Sequence, residues 1–155
     1  MKRIFVGVDV GLKGALCFID GNETHVFDMP KREEFTQIAN LFEAIPNDVS
    51  IVGIEAQNPF PGQGVISVYS LGWQVGYLDA LLDYLKIPYQ EVRAAKWMGF
   101  FGLQGKKKEG GKEKLYTTAK RLYPHVNFCG PKGALKDGRV DATLLAHYMK
   151  QHYKD

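Results

Sequence analysis

The sequence predicts one α/β domain over residues 1–155, with a five-stranded mixed sheet flanked by helices. Three observations predict it. First, apolar runs at 3–10, 15–20 and near 25–29 are separated by two tight turns, Gly11-Leu12-Lys13-Gly14 and Asp20-Gly21-Asn22, as in an antiparallel meander. Second, the runs at 51–55 and 88–92 are separated by a long helical pattern, the kind of connection that parallel strands need. Third, the order βββ-α-β-α-β-α-α-α has no internal repeat and no linker, and 155 residues suffice for a real core.

Each element has a local reason. Residues 3–10 alternate apolar and small side chains, and 15–20 follow the first turn directly. After Pro30, a helix over about 33–45 places Phe35, Ile38, Leu41, Phe42 and Ile45 on one face, and Pro46-Asn47-Asp48 breaks it. Residues 51–55 are short and nearly all apolar, as in a central parallel strand. Asn58-Pro59-Phe60-Pro61-Gly62 is a loop. Residues 64–86 carry a helical stripe of Val65, Val68, Leu71, Val75, Leu78, Leu82 and Leu85, with Tyr69, Trp73, Tyr77 and Tyr84 off it. Gly72 and Gly76 are costly inside a helix, so a closely packed partner is expected there. Residues 88–92 form the fifth strand. Helices follow over 94–100, 112–122 and 137–153, with a glycine-rich basic loop over 102–111 and a second loop over 123–135.

Bulk properties exclude several classes. No apolar run approaches the roughly 18 residues of a membrane span, so no membrane partner is expected. Met-Lys-Arg leads straight into an apolar strand with no cleavable signal after it. Cys17 and Cys129 are too few and too far apart for a disulfide framework or a Cys-rich zinc site, and a reducing compartment, the cytoplasm, follows as the expectation. Charge is lopsided. Residues 1–85 hold 5 Lys+Arg against 11 Asp+Glu, whereas residues 86–155 hold 15 against 6. A basic second half is suited to a polyanion, though a solvated basic face would read the same way.

Four carboxylates sit where acids are awkward. Asp9 ends the run Ile4-Phe5-Val6-Gly7-Val8, and Glu55 ends Ile51-Val52-Gly53-Ile54. Asp137 and Asp141 open the last helix, one turn apart on one face. Side chains at i and i+2 share a strand face, so each strand acid has a glycine two residues earlier on its own side, which predicts open space beside it. Both acids lie at the carboxyl ends of strands, where open α/β sheets build their sites. Acids in or beside a core need a compensating cation. Four converging carboxylates suit a hard divalent metal, which supports phosphoryl chemistry. A solvated strand end, or a helix cap at Asp137, would explain any one of them alone.

These residues carry a resemblance. Val6-Gly7-Val8-Asp9-Val10-Gly11-Leu12-Lys13-Gly14-Ala15 resembles the first strand and hairpin of the RuvC family of Holliday junction resolvases. Val52-Gly53-Ile54-Glu55 resembles its second acidic motif. Asp137-Gly138-Arg139-Val140-Asp141-Ala142-Thr143-Leu144-Leu145-Ala146 resembles its closing motif, nearest to phage-borne versions. The resemblance spans the chain and implies an RNase H-like fold. It implies a homodimer that cuts four-way DNA junctions with two Mg²⁺ ions, Mn²⁺ substituting, in a bacterial cell or in a phage's host. Asp9, Glu55 and Asp141 match the metal-binding acids, and Asp137 stands in for the fourth. Many members place the last two acids three residues apart. Here position 138 is Gly, which leaves Asp137 as either a ligand or a helix cap. The implied reaction is hydrolysis to 5′-phosphate and 3′-hydroxyl ends. The carboxylates are ligands, so no covalent nucleophile is needed, and His25, His125, His147 and His152 are scattered.

The DNA path is read from charge. Lys106, Lys107, Lys108, Lys112 and Lys114 form the densest cluster, among glycines that let the segment follow phosphates. Arg93, Lys96, Lys132, Lys136 and Arg139 extend it; such contacts position DNA without reading its sequence. Phe60, in a Pro-flanked loop, matches the place where the resembled family inserts an aromatic into the opened junction, and a rigid exposed ring stacks on an unpaired base. Packing under the loop would also explain it. Trp97, Phe100 and Phe101 read as core. The long helix, with Tyr69, Gly72, Trp73, Gly76 and Tyr77, is the expected dimer surface. Three other readings stay open. One is a broader branched-DNA or RNA–DNA hybrid nuclease of the same superfamily. Another is an actin-type ATPase, for which Gly7-Val8-Asp9-Val10-Gly11 fits but the chain has room for one of the two domains needed. The third is a non-catalytic DNA-binding module.

Overall fold

A computed structural model describes residues 3–45, 47–103 and 110–153. Strands β1 (Ile4–Asp9), β2 (Ala15–Asp20), β3 (Glu23–Asp28), β4 (Val49–Glu55) and β5 (Tyr89–Val92) form one sheet in the order β3-β2-β1-β4-β5. The meander β1–β2–β3 is antiparallel, and β4 and β5 add in parallel beyond β1. The mixed sheet predicted from the sequence is therefore present, with β1 at its centre.

Strand alternation divides the core into two. Ile4, Val6 and Val8 of β1 face one cluster, with Leu16, Phe18, Val52 and Ile54. Helices α1 (Thr36–Glu43) and α2 (Val65–Leu85) close that side with Phe35, Ile38, Phe42, Leu78 and Leu82. Phe5, Ala15, Cys17 and Ile51 face the other side. It is closed by α3 (Ala94–Phe100), α4 (Lys112–Leu122) and α5 (Asp137–His152), through Trp97, Leu115, Ala142, Leu145 and Ala146. Burial pushes the Cys17 thiol up to about 12. It behaves as a small apolar core group.

Several expectations change. The glycines before the acids do not leave open space. A Cβ on Gly7 would run into the Ala142 carbonyl oxygen and lie 2.5 Å from the Ala146 nitrogen; one on Gly53 would lie 2.7 Å from Met149 Sδ. The space is filled by α5, which the glycines let lie directly on the sheet. At Gly72 and Gly76, where a close partner was expected, nothing among the described residues comes within 4 Å of an added Cβ. Trp73 and Tyr77, assigned to a dimer surface, instead pack edge-on against Phe35 with ring centroids 4.7 and 4.8 Å away. The apolar stripe of α2 is buried at Leu78 and Leu82, while its first residue, Val65, is 83% exposed. The first helix begins later than predicted, because a 3-10 turn over Arg32–Glu34 precedes it.

Candidate metal centre

The parallel register of β1 and β4 aligns Gly7 with Gly53 and Val8 with Ile54. The next residues, Asp9 and Glu55, therefore leave the sheet side by side at its carboxyl edge. Both belong to the face covered by α5, and the glycines that seat α5 there bring Asp141 to the same point. One carboxylate oxygen from each of Asp9, Glu55 and Asp141 lies within 4.8 Å of the others, and all three residues are half-buried. Three hard oxygen donors at this spacing fit one hard divalent cation.

Glu55 is held from behind. The indole N–H of Trp97, which is fully buried, donates to Glu55 Oε2 at 2.9 Å. Trp97 reads as core from sequence and is core, but its one polar atom is spent on the site. No sequence signal reveals this, since 42 residues separate the partners and only the fold joins them. Gln74 was likewise missed. This buried α2 residue accepts the Gly11 N–H at 2.8 Å through Oε1 and so ties down the hairpin that follows Asp9. Its signal was legible in principle: a long polar side chain in the apolar half of a helix needs a partner.

Asp137 stands apart from the three-acid group. The cap position of α5 is taken by Lys136, and Asp137 is the first residue of the helix. Asp137 Oδ2 is 2.6 Å from Lys112 Nζ; the lysine side chain is largely exposed and the Asp137 side chain about half exposed. That bond holds the Lys112 ammonium above its ordinary pKa. Gly138 explains why the acid falls at 137. A Cβ at position 138 would run into the Lys13 carbonyl oxygen and lie 2.9 Å from Gly14 Cα, so no side chain fits there. Lys112, Leu115, Asp137, Val140 and Asp141 enclose a cavity of about 160 Å³.

The predicted DNA-contacting residues divide into three groups. Arg93, Lys96, Lys112, Lys114, Lys132 and Lys136 are exposed, and Phe60 is 65% exposed. Phe60 lies on the rim of a groove of about 310 Å³ between its loop and α2. Lys106, Lys107 and Lys108 lie outside the described residues. Arg139 is engaged within the fold. Its guanidinium grips Asp28 with two bonds of 2.7 and 2.9 Å and donates to the Asn127 and Cys129 carbonyls, so it braces β3 and the 123–135 loop against α5. Arg139 in turn holds the Asp28 carboxyl below its usual range. The histidines show no catalytic pairing among the described residues. The half-buried His147 ring receives or gives a 2.7 Å bond with the Tyr123 hydroxyl, and burial lowers its pKa.

The sequence matches no protein-family model and no curated protein. Among solved structures the chain is similar to T. thermophilus RuvC in complex with Holliday junction substrate, with a TM-score of 0.62 at 12% identity over 97% of this chain and 96% of that one. It is also similar to a second Thermus thermophilus RuvC structure, with a TM-score of 0.58 at 11% identity and the same coverage. The fold is RNase H-like, as these neighbours and the five-stranded mixed sheet show.

Proposed function

We propose that this chain is a metal-dependent endonuclease that resolves four-way DNA junctions by phosphodiester hydrolysis. The observation that carries the reading is the convergence of Asp9, Glu55 and Asp141, from two parallel strand ends and a helix, in an RNase H-like fold. Asp9, Glu55 and Asp141 would hold Mg²⁺, or Mn²⁺ in its place, and Asp137 would complete a second cation position beside Asp141. When bound, the ions supply an activated water and charge stabilisation at the leaving oxygen. The chain supplies the rest. Trp97 orients Glu55, Gln74 fixes the turn after Asp9, and the strand-end backbone keeps the acids preorganised. Arg93, Lys96, Lys112, Lys114, Lys132 and Lys136, with Lys106, Lys107 and Lys108, would grip phosphates. Phe60 would stack on a base at the opened junction.

The reading includes a homodimer, since a symmetric junction needs two cuts. What supports it is the start of α2, where Val65, Ile66 and Tyr69 are 83, 82 and 60% exposed beside the open faces of Gly72 and Gly76. Trp73 and Tyr77 leave that surface. The cytoplasm of a bacterium, or of a phage's host, is where such DNA would be met. Among the described residues no helix is long and apolar enough to cross a membrane.

The test is cleavage of an immobile four-way junction, with Mg²⁺ and with EDTA, beside three-way, flap and RNA–DNA hybrid substrates. Symmetric junction nicks that need metal, and that fall at least about a thousandfold in Asp9→Asn, are expected. Cutting confined to the hybrid would move the reading to another RNase H-like nuclease. Undiminished cutting by Asp9→Asn would overturn the metal centre.

A further inference from the structure

Asp137 and Asp141 occupy one face of α5, one turn apart, yet they have different surroundings. Asp141 joins the three-acid group. Asp137 meets Lys112 at the cavity of about 160 Å³, which Asp141 and the apolar Leu115 and Val140 also line. The ammonium is within 2.6 Å of Asp137 and also acts electrostatically on Asp141. Lys112 is the first residue of α4, where the helix dipole disfavours a cation, so the helix itself gives no reason for a lysine there. Gly138 is closed by the hairpin backbone, so the acid cannot be supplied from the neighbouring position.

We infer that Lys112 is a built-in rival of the second cation: its ammonium fills the cation position at Asp137, and a DNA phosphate that engages Lys112 frees Asp137 for metal. The inference rests on the nuclease reading given above. The magnitudes allow such an exchange. Solvent screens an ion pair this exposed, so one good phosphate contact can compete for the lysine. A tightly buried pair would lock the position shut, and a pair held further apart would not exclude a cation. The consequence is an ordered site. The three-acid position binds metal in the free protein, and the Asp137 position fills with DNA in place.

The test is a Mn²⁺ titration of the full chain without DNA, counting free ion by electron paramagnetic resonance, for wild type, Lys112→Met, Asp137→Asn and the double variant. Lys112→Met should tighten the weaker Mn²⁺ step by about fivefold. Asp137→Asn alone should weaken that step, and in the double variant it should abolish the gain. In EDTA, Lys112→Met should bind a four-way junction more weakly, with the salt dependence reduced by about one phosphate contact. An unchanged or weakened second step in Lys112→Met overturns the rivalry. So does a gain that survives in the double variant, because it would then be a general charge effect. Unchanged junction affinity overturns the coupling to DNA. Asp9→Asn keeps the two readings apart: if it binds Mn²⁺ like wild type, the metal centre itself fails, whatever Lys112 does.

Discussion

The two sides of the sheet are covered by helices that pack in opposite ways. On one side, α5 rests directly on β1 and β4, with the backbone at Ala142 and Ala146 against Gly7. On the other, α2 touches the sheet side with its second half and leaves Val65, Ile66, Gly72 and Gly76 outward. The same residue type serves both ends. Glycine at 7 and 53 removes a side chain so that a helix can approach, whereas glycine at 72 and 76 meets nothing within the described chain. The close side carries the three-acid group because helix-to-sheet distance sets where Asp141 lies relative to Asp9 and Glu55. The loose side leaves an apolar surface exposed at Val65, Ile66 and Tyr69.

The largest way to break this contrast is Gly7→Ala. The new methyl would meet backbone, which cannot swing aside, so a loss of about 3 kcal/mol or more is expected in denaturant unfolding. A normally stable variant would mean that α5 is not seated on Gly7. Next comes Trp97→Phe, which keeps an aromatic in the core but removes the donor to Glu55. A cost of about 1–3 kcal/mol is expected, shared between thermal stability and Mn²⁺ affinity measured by calorimetry. Unaltered Mn²⁺ affinity would reduce Trp97 to packing alone.

On the loose side, Gly72→Ala should act with the opposite sign. It gains about 0.5–1 kcal/mol of helix stability, read as a raised melting temperature, because nothing obstructs the methyl. If α2 is the dimer surface, sedimentation of the same variant will show a weakened dimer. A lowered melting temperature would reveal a packing partner on that face.

The smallest expected effect concerns the brace between α5 and β3. Arg139 holds the Asp28 carboxyl below its ordinary value of 3.8. A depressed folded-state pKa means stability that is fully present above the unfolded value and is lost as pH falls through the folded one. Asp28 is about half exposed, so solvent screening keeps the contribution under about 1 kcal/mol. Asp28→Asn should therefore be slightly less stable than wild type at about pH 6, and the difference should close as pH drops below 3.8. A gap that persists at lower pH would show that the charge of Asp28 is irrelevant.

Much of this was legible from residues alone. The glycine turns, the parity of Asp9 and Glu55 and the extents of α2 to α5 all depend on neighbours a few positions away, and the structure agrees with them. The misreadings share one cause. A glycine beside an acid, a glycine inside a helix, an aromatic off a stripe and an arginine near a carboxylate each admit two surroundings, and local pattern cannot choose between them. Gly7 seats a helix and Trp73 packs on Phe35, whereas Gly72 faces outward, as an interface between copies requires, and Arg139 grips Asp28. Trp97 is core, as its apolar bulk implies, but the bond its single N–H makes to Glu55 is silent in sequence.

By itself the sequence determined which chemistry is available. Strand periodicity put Asp9 and Glu55 at strand ends on matching faces, and helical periodicity put Asp137 and Asp141 on one face of α5, because these relations follow from backbone geometry. Only the tertiary structure decided which acids act together. The approach of α5 to the sheet brings Asp141 to Asp9 and Glu55, while the start of α4 gives Asp137 to Lys112. The physical reason is range. Backbone periodicity fixes direction over a turn or two, but carboxylate partnership is settled within a few ångströms, between groups that the chain brings together from 25 to more than 100 residues apart.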